Sequence, residues 1–299
     1  MTMDDETPEV IAVSLQKGGT GKTFTAMNLA GGLSARGFDV LLVDFDPQGT
    51  LTANLGKREQ YFDLDTLSLD EVLLDPSKWD QVTELVETDH EEFDLIPANQ
   101  SYNGNKTPLD AADAGENRFG RLLDQFEDDY HYIICDCPPD FSPYAKNAVT
   151  AGEKIVIPMI PETEMPHSVD LLFDQYDVLE MMHDLDIEYL ASVMTVNSTK
   201  MTNEHQRIVS WFEETFAEKG VVTDHRAAFA RAKKNQQSLY AYEESLSNAE
   251  LETYDRLVQL VMAQTDPPTL GIDVEAAKQL SIDGIRRRRE RNHEQEVNA

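Results

Sequence analysis

The segment Gln16-Lys17-Gly18-Gly19-Thr20-Gly21-Lys22-Thr23 carries the residue types of a phosphate cradle. Glycines let backbone N–H groups converge on phosphate oxygens, and a helix starting directly after them adds the positive end of its dipole. In such a loop Lys22 reaches the β- and γ-phosphates, and the Thr23 hydroxyl ligates Mg²⁺. The usual pattern has glycine where Gln16 stands, and Lys17 is an additional cation directly before the glycine pair. Lys22 already serves the phosphates of its own chain, so Lys17 can point outward to a nucleotide held by a facing subunit. A cation supplied in trans to a transferring phosphoryl group acts as an arginine finger does, and raises the rate by several powers of ten.

Two acidic segments close apolar runs. Val43-Asp44-Phe45-Asp46-Pro47-Gln48-Gly49 ends one, and Tyr132-Ile133-Ile134-Cys135-Asp136-Cys137-Pro138-Pro139 ends another. Asp44 and Asp46 have the same parity and share a face if the strand continues through them. An aspartate closing a strand beside a phosphate loop is the usual holder of Mg²⁺, and the prolines stop the strand and start a loop able to sense a γ-phosphate. Cys135 and Cys137 have no structural-zinc spacing and read as small buried apolar residues. His167 and His183 likewise have no metal-ligand spacing.

These residues need a scaffold that gathers strand ends. Val10–Leu15, Val40–Phe45, Tyr132–Cys135, Lys154–Met159 and Tyr189–Val196 read as buried strands, with Glu91–Pro97 as a further one. Helical patterns cover Thr23–Arg36, Asn117–Phe126, His167–His183 and Ser247–Met262, while Asn99–Gly115 reads as a surface connection. From Glu204 the pattern is helical until a basic stretch. Alternation of this kind predicts an α/β domain, one doubly wound and mostly parallel sheet with helices on both faces, spanning residues 8–265. Such sheets bind ligands at the carboxyl ends of their strands, where all three segments fall. Residues 266–299 form a C-terminal extension ending in a basic tail. Arg286–Arg289 reads either as a DNA-binding tail or as a solubilising end, and Val274–Ile285 lacks the broad apolar face and aromatic anchor of a membrane helix.

The 299 residues include 56 acidic and 25 basic side chains, a formal charge of −31 spread along the whole length. That surface suits a halophile's protein, because at about 1 M salt the screening length falls to about 3 Å and self-repulsion becomes tolerable. The acidic N-terminus is not a signal peptide, and no apolar run approaches the ~18 residues of a membrane span, which predicts a cytoplasmic protein.

Lys17–Thr23, Asp44–Gly49 and Asp136–Pro139 together resemble the nucleotide motifs of the ParA family, the deviant Walker-type ATPases of plasmid and chromosome partition, related to MinD. The similarity extends to Leu95-Ile96-Pro97-Ala98, to Ile157-Pro158 with Pro161-Glu162, and to a late helix around Tyr254. The resemblance implies a P-loop NTPase fold, ATP and Mg²⁺ as cofactors, and a homodimer in the ATP state with Lys17 crossing the interface. It makes Gly18, Gly19, Thr20, Gly21, Lys22, Thr23 and the Phe24 backbone the phosphate site, and Asn197 an adenine contact. Asp46 matches the aspartate that orients the attacking water, and Asp44 and Asp136 match the carboxylates of the magnesium shell. It also implies nonspecific DNA binding through basic residues of the C-terminal third, here Lys200, Arg231, Lys233 and Lys234, with a ParB-like partner stimulating slow hydrolysis at the nucleoid. A MinD-like membrane ATPase, a positioner of another protein cargo, and a biosynthetic or metal-cluster enzyme on the same fold are the rival readings. Two departures stand out: Phe24 replaces the family's second hydroxyl, and the Glu-Ala-Pro segment is missing from Phe229–Tyr240.

Overall fold

The computed structural model describes residues 7–224, 232, 234–242 and 248–285. Its strands are β1 (Glu9–Val13), β2 (Val40–Asp44), β3 (Asp94–Ile96), β4 (Tyr132–Asp136), β5 (Lys154–Met159), β6 (Glu188–Val196) and β7 (Gly220–Asp224). They form one sheet in the order β3-β2-β4-β1-β5-β6-β7, parallel throughout. Both faces are covered, which is why the central strands read as unbroken apolar runs. Every residue of β2 and β4 is buried.

Strand alternation divides the interior in two. Val10, Ala12, Leu41, Val43, Ile133 and Cys135 belong to one core, which packs α5 (Tyr102–Asp110), α6 (Pro143–Gly152), α7 (Met165–His183) and α8 (Asn203–Thr215). Ile11, Val13, Val40, Leu42, Tyr132 and Ile134 belong to the other, which packs α1 (Lys22–Ser34) and α9 (Asn248–Met262). α1 and α9 are tied by a buried ion pair, Arg36 Nη2 to Asp255 Oδ1 at 2.5 Å. They approach closely: a Cβ on Gly32 would sit 2.6 Å from Val258 and 2.8 Å from Tyr240.

Several elements differ from the sequence reading. β7 was not expected; it is a short edge strand with alternate half-buried residues, too weak a pattern to stand out beside the helical run before it. Asn99–Gly115 is not a bare connection, because Tyr102 and Leu109, seven residues apart, are both buried and hold α5 against the core. Gly115–Asn117 and Phe119–Phe126 form 3₁₀ turns and not an α-helix. The backbone N–H groups of Arg118 and Phe119 both donate to Asn147 Oδ1 on α6, at 2.8 and 2.9 Å, which breaks the helical ladder between them.

The extension folds back on the domain as far as residue 285. Ile272, Val274, Leu280 and Ile282 pack against the second core, and Lys278 Nζ donates to the Thr265 carbonyl at 2.8 Å. Its helix α10 (Val274–Lys278) has five residues. Among the described residues no helix is long and apolar enough to cross a membrane.

Candidate functional site

Sheet register assembles the site. Val13, Asp136 and Asp44 are paired across β1, β4 and β2, so three neighbouring strands end at one level. The chain leaves β1 at that level and turns through Ser14–Gly21 into α1. Gly19 and Gly21 have φ of 77° and 95°, a backbone that side chains resist, and a Cβ on Gly18, Gly19 or Gly21 would meet nothing within 4 Å. The glycines thus border open space, a cleft of about 310 Å³. Gly18, Gly19, Thr20, Gly21, Lys22, Thr23 and Phe24 line it with Met27, Asp46, Thr50, Asn54 and Pro139.

Lys22 lies at the base of the cleft. Its ammonium donates to the carbonyls of Leu15 at 3.1 Å and Lys17 at 2.8 Å. Burial lowers its pKa, opposed by the charges of Asp136, Cys137, Asp46 and Asp140. Asp136 is the most telling residue. Both its oxygens are buried without a geometrically sound hydrogen bond among the described residues. Its pKa lies well above the carboxylate range, chiefly through burial and then through the Asp44 charge, with the nearby Thr23 hydroxyl acting in the opposite sense. An acidic pair left this exposed to self-repulsion has the donor set of a divalent-cation site, and hard oxygen donors suit Mg²⁺.

Asp44 is differently engaged. Its Oδ2 accepts from the Thr52 backbone at 2.9 Å and the Thr52 hydroxyl at 2.7 Å, and its Oδ1 accepts from the Asp46 N–H at 3.1 Å. The Thr52 hydroxyl oxygen in turn accepts from the Ala98 N–H at 2.8 Å. Burial pushes the Asp44 carboxyl up to about 7, with the Thr52 bonds opposing. Asp44 therefore fixes the start of α2 (Thr50–Asn54) as well as facing the site. β2 ends at Asp44, so the two aspartates do not share a strand face. Asp46 lies in the following turn, its Oδ1 accepting from Gln48 N–H at 2.9 Å. It still reaches the cleft, and burial raises its pKa against the Gln48 bond and the Lys22 charge.

Lys17 does not enter this cleft. Its ammonium pairs with Glu162 Oε2 at 2.8 Å, on the loop after β5, with 22% of the lysine side chain exposed. Phe24, in place of a hydroxyl, packs its ring edge-on to Tyr254 at 5.6 Å and anchors α1 to α9. Asn197 is half-buried at the end of β6; its Oδ1 accepts from the Thr199 hydroxyl at 2.7 Å, and it is not among the residues lining the cleft. Lys200 and Lys234 are exposed. Arg231, Lys233 and the Arg286–Arg289 run lie outside the described residues. Cys135 and Cys137 are buried, unbridged thiols. His183 bonds Glu116 at 3.2 Å. Sequence reasoning missed Thr52 and the pairing role of Glu162. Pro161-Glu162 was at least a visible signal, whereas Thr52 had none.

A strand, a glycine loop and a helix in this order, with carboxylates on the two strands beside them, define a P-loop NTPase. A family model described as an AAA domain (AAA_31) matches residues 8–188. The chain is 31% identical to the sporulation initiation inhibitor protein Soj of Bacillus subtilis, over 71% of this chain and 81% of Soj. It is 30% identical to the chromosome partitioning protein ParA of Myxococcus xanthus, over 66% of this chain and 68% of that protein. Among solved structures, a Cyanothece McdA–ATP complex matches with a TM-score of 0.73 at 18% identity, covering 86% of this chain and 97% of that one. Cobyrinic acid a,c-diamide synthase from Mycobacterium smegmatis, with ADP and magnesium bound, matches with a TM-score of 0.64 at 25% identity, covering 84% and 92%. The chain belongs to the ParA family of partition ATPases, within the AAA_31 domain family.

Proposed function

We propose that this protein is an ATP-dependent dimerising ATPase that binds DNA nonspecifically and drives plasmid or chromosome partition with a ParB-like partner. The observation that carries the reading is the division of labour between two lysines of one loop. Lys22 is buried at the cleft base, while Lys17 is turned away from the cleft and held by Glu162. A cation so placed serves a nucleotide on a facing copy better than one in its own cleft.

The residues present fit Mg-ATP. Backbone N–H groups of Gly18–Phe24 and the Lys22 ammonium would hold the phosphates, and Thr23 with Asp136 would hold the ion, with Asp44 behind it. Bound Mg²⁺ supplies charge neutralisation at the phosphoryl group. Asp46 orients water at the mouth of the cleft, and Lys17 stabilises charge from the opposing subunit. ATP thus favours the dimer, and hydrolysis returns the monomer. Exposed Lys200 and Lys234, with Arg231 and Lys233 nearby in sequence, offer phosphate contacts that carry no sequence information. The docking of Ile272, Val274, Leu280 and Ile282 on the chain's own core leaves the extension little apolar face for a membrane.

DNA retention in high-potassium buffer tests the reading, measured with ATP, with ADP, and with Lys17→Ala. ATP-dependent retention that is lost in the variant supports it. ATP-driven dimerisation without DNA retention under any nucleotide would refute the DNA-tracking part.

A further inference from the structure

The strands' amino ends, opposite the nucleotide cleft, border a second cavity. A groove of about 450 Å³ lies where β2, β3 and β4 begin. Its lining includes Phe38, Phe93, Phe126 and Tyr130, all buried. Five carboxylates stand around that apolar floor: Asp39, Glu91, Glu92, Asp94 and Asp129. Asp94 accepts from the Tyr130 hydroxyl at 2.7 Å, while Asp39, Glu91 and Asp129 are exposed. Among the described residues no lysine or arginine lines the groove. Nor does any pair with Asp39, Glu91, Asp94 or Asp129. A carboxylate rim over an apolar floor suits arginine. Its methylene stem lies on apolar surface while its planar fork meets carboxylates in paired hydrogen bonds.

The C-terminal extension crosses this same end of the sheet. The Thr269 carbonyl lies 3.4 Å from His131 Nε2, and His131 Nδ1 accepts from the N–H of Asp39, on the groove's rim. The Leu280 carbonyl lies 3.5 Å from Arg36 Nη2, and Arg36 stands midway in the chain between the groove residues Ser34 and Phe38. The extension is described as far as Ile285, which is buried in the second core. Directly after it come Arg286, Arg287, Arg288, Arg289 and Arg291, with Glu290 the one acid among them. From Leu280 to Arg289 the chain can span up to about 30 Å. That is ample to bring the arginines from Arg36 to the rim.

We infer that the segment Arg286–Arg291 docks in this groove of its own chain, its arginines on the Asp39, Glu91 and Asp129 carboxylates, and straps the extension across the amino ends of β2, β3 and β4. Charge and tethering select this occupant. Four consecutive arginines are the densest positive charge in a chain whose net charge is −31. A segment on a short tether faces its groove at roughly millimolar effective concentration, which an untethered basic partner must exceed. Pairs formed in a groove with a buried floor are screened less by salt than fully exposed ones, so the strap survives in strong salt. The arginines then hold the fold, and are neither a DNA contact nor a free solubilising end. Because the groove lies at the far end of the sheet from the nucleotide cleft, this inference does not depend on the partition reading.

The test uses the full chain without nucleotide or DNA, at the lowest salt at which it stays folded. The probe is a fluorescein-labelled synthetic peptide of residues 286–299, followed by anisotropy. In wild type the tethered tail occupies the groove and excludes the probe. A tail variant with Arg286, Arg287, Arg288, Arg289 and Arg291 all replaced by glutamine should therefore bind the probe at least about tenfold more tightly than wild type. Adding Glu91→Gln/Asp129→Asn to the tail variant should weaken probe binding about fivefold or more. Adding Asp174→Asn/Asp177→Asn on α7 instead, the same change of charge elsewhere, should leave it within about twofold. ATP binding, unchanged throughout, reports that each variant is folded. Equal probe binding by wild type and the tail variant overturns the inference, as does no binding by the tail variant. Equal losses from the groove and α7 substitutions would reduce the effect to the chain's overall charge and overturn it as well. So would wild-type self-association that the tail variant abolishes, which would place the tail in the groove of a second copy.

Discussion

At the scale of single residues, the candidate site depends on side chains that position those bordering the cleft. Thr52 is the clearest case. It gives Asp44 two hydrogen bonds and accepts one from Ala98, joining β2, α2 and the segment after β3. Thr52→Val keeps the shape but leaves a buried Asp44 oxygen and the Ala98 N–H short of partners. The expected cost is about 1–3 kcal/mol in stability, read from denaturant unfolding. ATP turnover should fall further than ATP affinity, because Asp46 is tethered to the same carboxylate. Equal losses of turnover and affinity would assign Thr52 to stability alone. The residues of the candidate cleft were legible in the sequence because phosphate chemistry fixes the types and spacing of such a loop over a few consecutive positions. Thr52 and Glu162 were not, since their roles come from contacts between segments far apart in the chain. The condition under which Asp44 and Asp46 would share a strand face is not met, because β2 ends at Asp44, whose carboxylate accepts from the Asp46 N–H in the turn that follows.

At the scale of elements, strands buried on both faces announced themselves, while α5 and β7 did not. The Asn, Gly and Pro content of Asn99–Gly115 argues for a loop, and two buried side chains outweigh it. β7 lies at the sheet edge, where only Val221 and Thr223 are buried, so its pattern is short and weak. How elements clamp together was invisible in both cases. Arg36 and Asp255 lie 219 residues apart and join α1 to α9 through a buried ion pair. Asp255→Ala leaves the guanidinium buried without its counter-ion and should cost about 3–5 kcal/mol. The double variant Arg36→Met/Asp255→Leu should recover most of that loss. Thermal unfolding of the three variants checks this, and a double variant as unstable as the single one would contradict it. The extension has a pH-dependent clamp. His131 Nδ1 accepts from the Asp39 N–H at 2.9 Å, and Nε2 lies 3.4 Å from the Thr269 carbonyl. Burial lowers its pKa, against the Asp39 charge and the Thr269 contact. The folded state then prefers neutral His131, so its contribution is present above the unfolded value of about 6.5 and is lost as pH falls through it. His131→Gln, which can still donate and accept, should lose less stability than wild type between pH 7 and 5. Melting temperatures across that range decide it, and identical pH slopes would remove His131 as the cause.

At the scale of the whole molecule, the decisive quantity is the charge of −31, which was plain in the composition although its spatial distribution was not. Carboxylates crowd the segment around α7, whereas 14 of the 25 lysines and arginines lie at or after Lys200. The same solvent should therefore act in opposite directions on folding and on the proposed DNA binding. Self-repulsion among the carboxylates reaches across tens of ångströms at ~0.01 M salt and only about 3 Å at 1 M, so added KCl should stabilise the fold. If Lys200 and Lys234 contact DNA phosphates as proposed, those contacts release counterions, so added KCl should weaken DNA binding along a linear log–log slope. The expected outcome is a melting temperature that climbs steadily from ~0.1 to ~2 M KCl while DNA affinity falls over the same series. Replacing Lys200 and Lys234 together by alanine should flatten the DNA slope by about two ion equivalents and leave the melting curve's salt dependence intact. A melting temperature indifferent to KCl would mean that the acidic surface is not tuned to strong salt. An unchanged DNA slope in the double variant would move the DNA contacts to other cations of the C-terminal third.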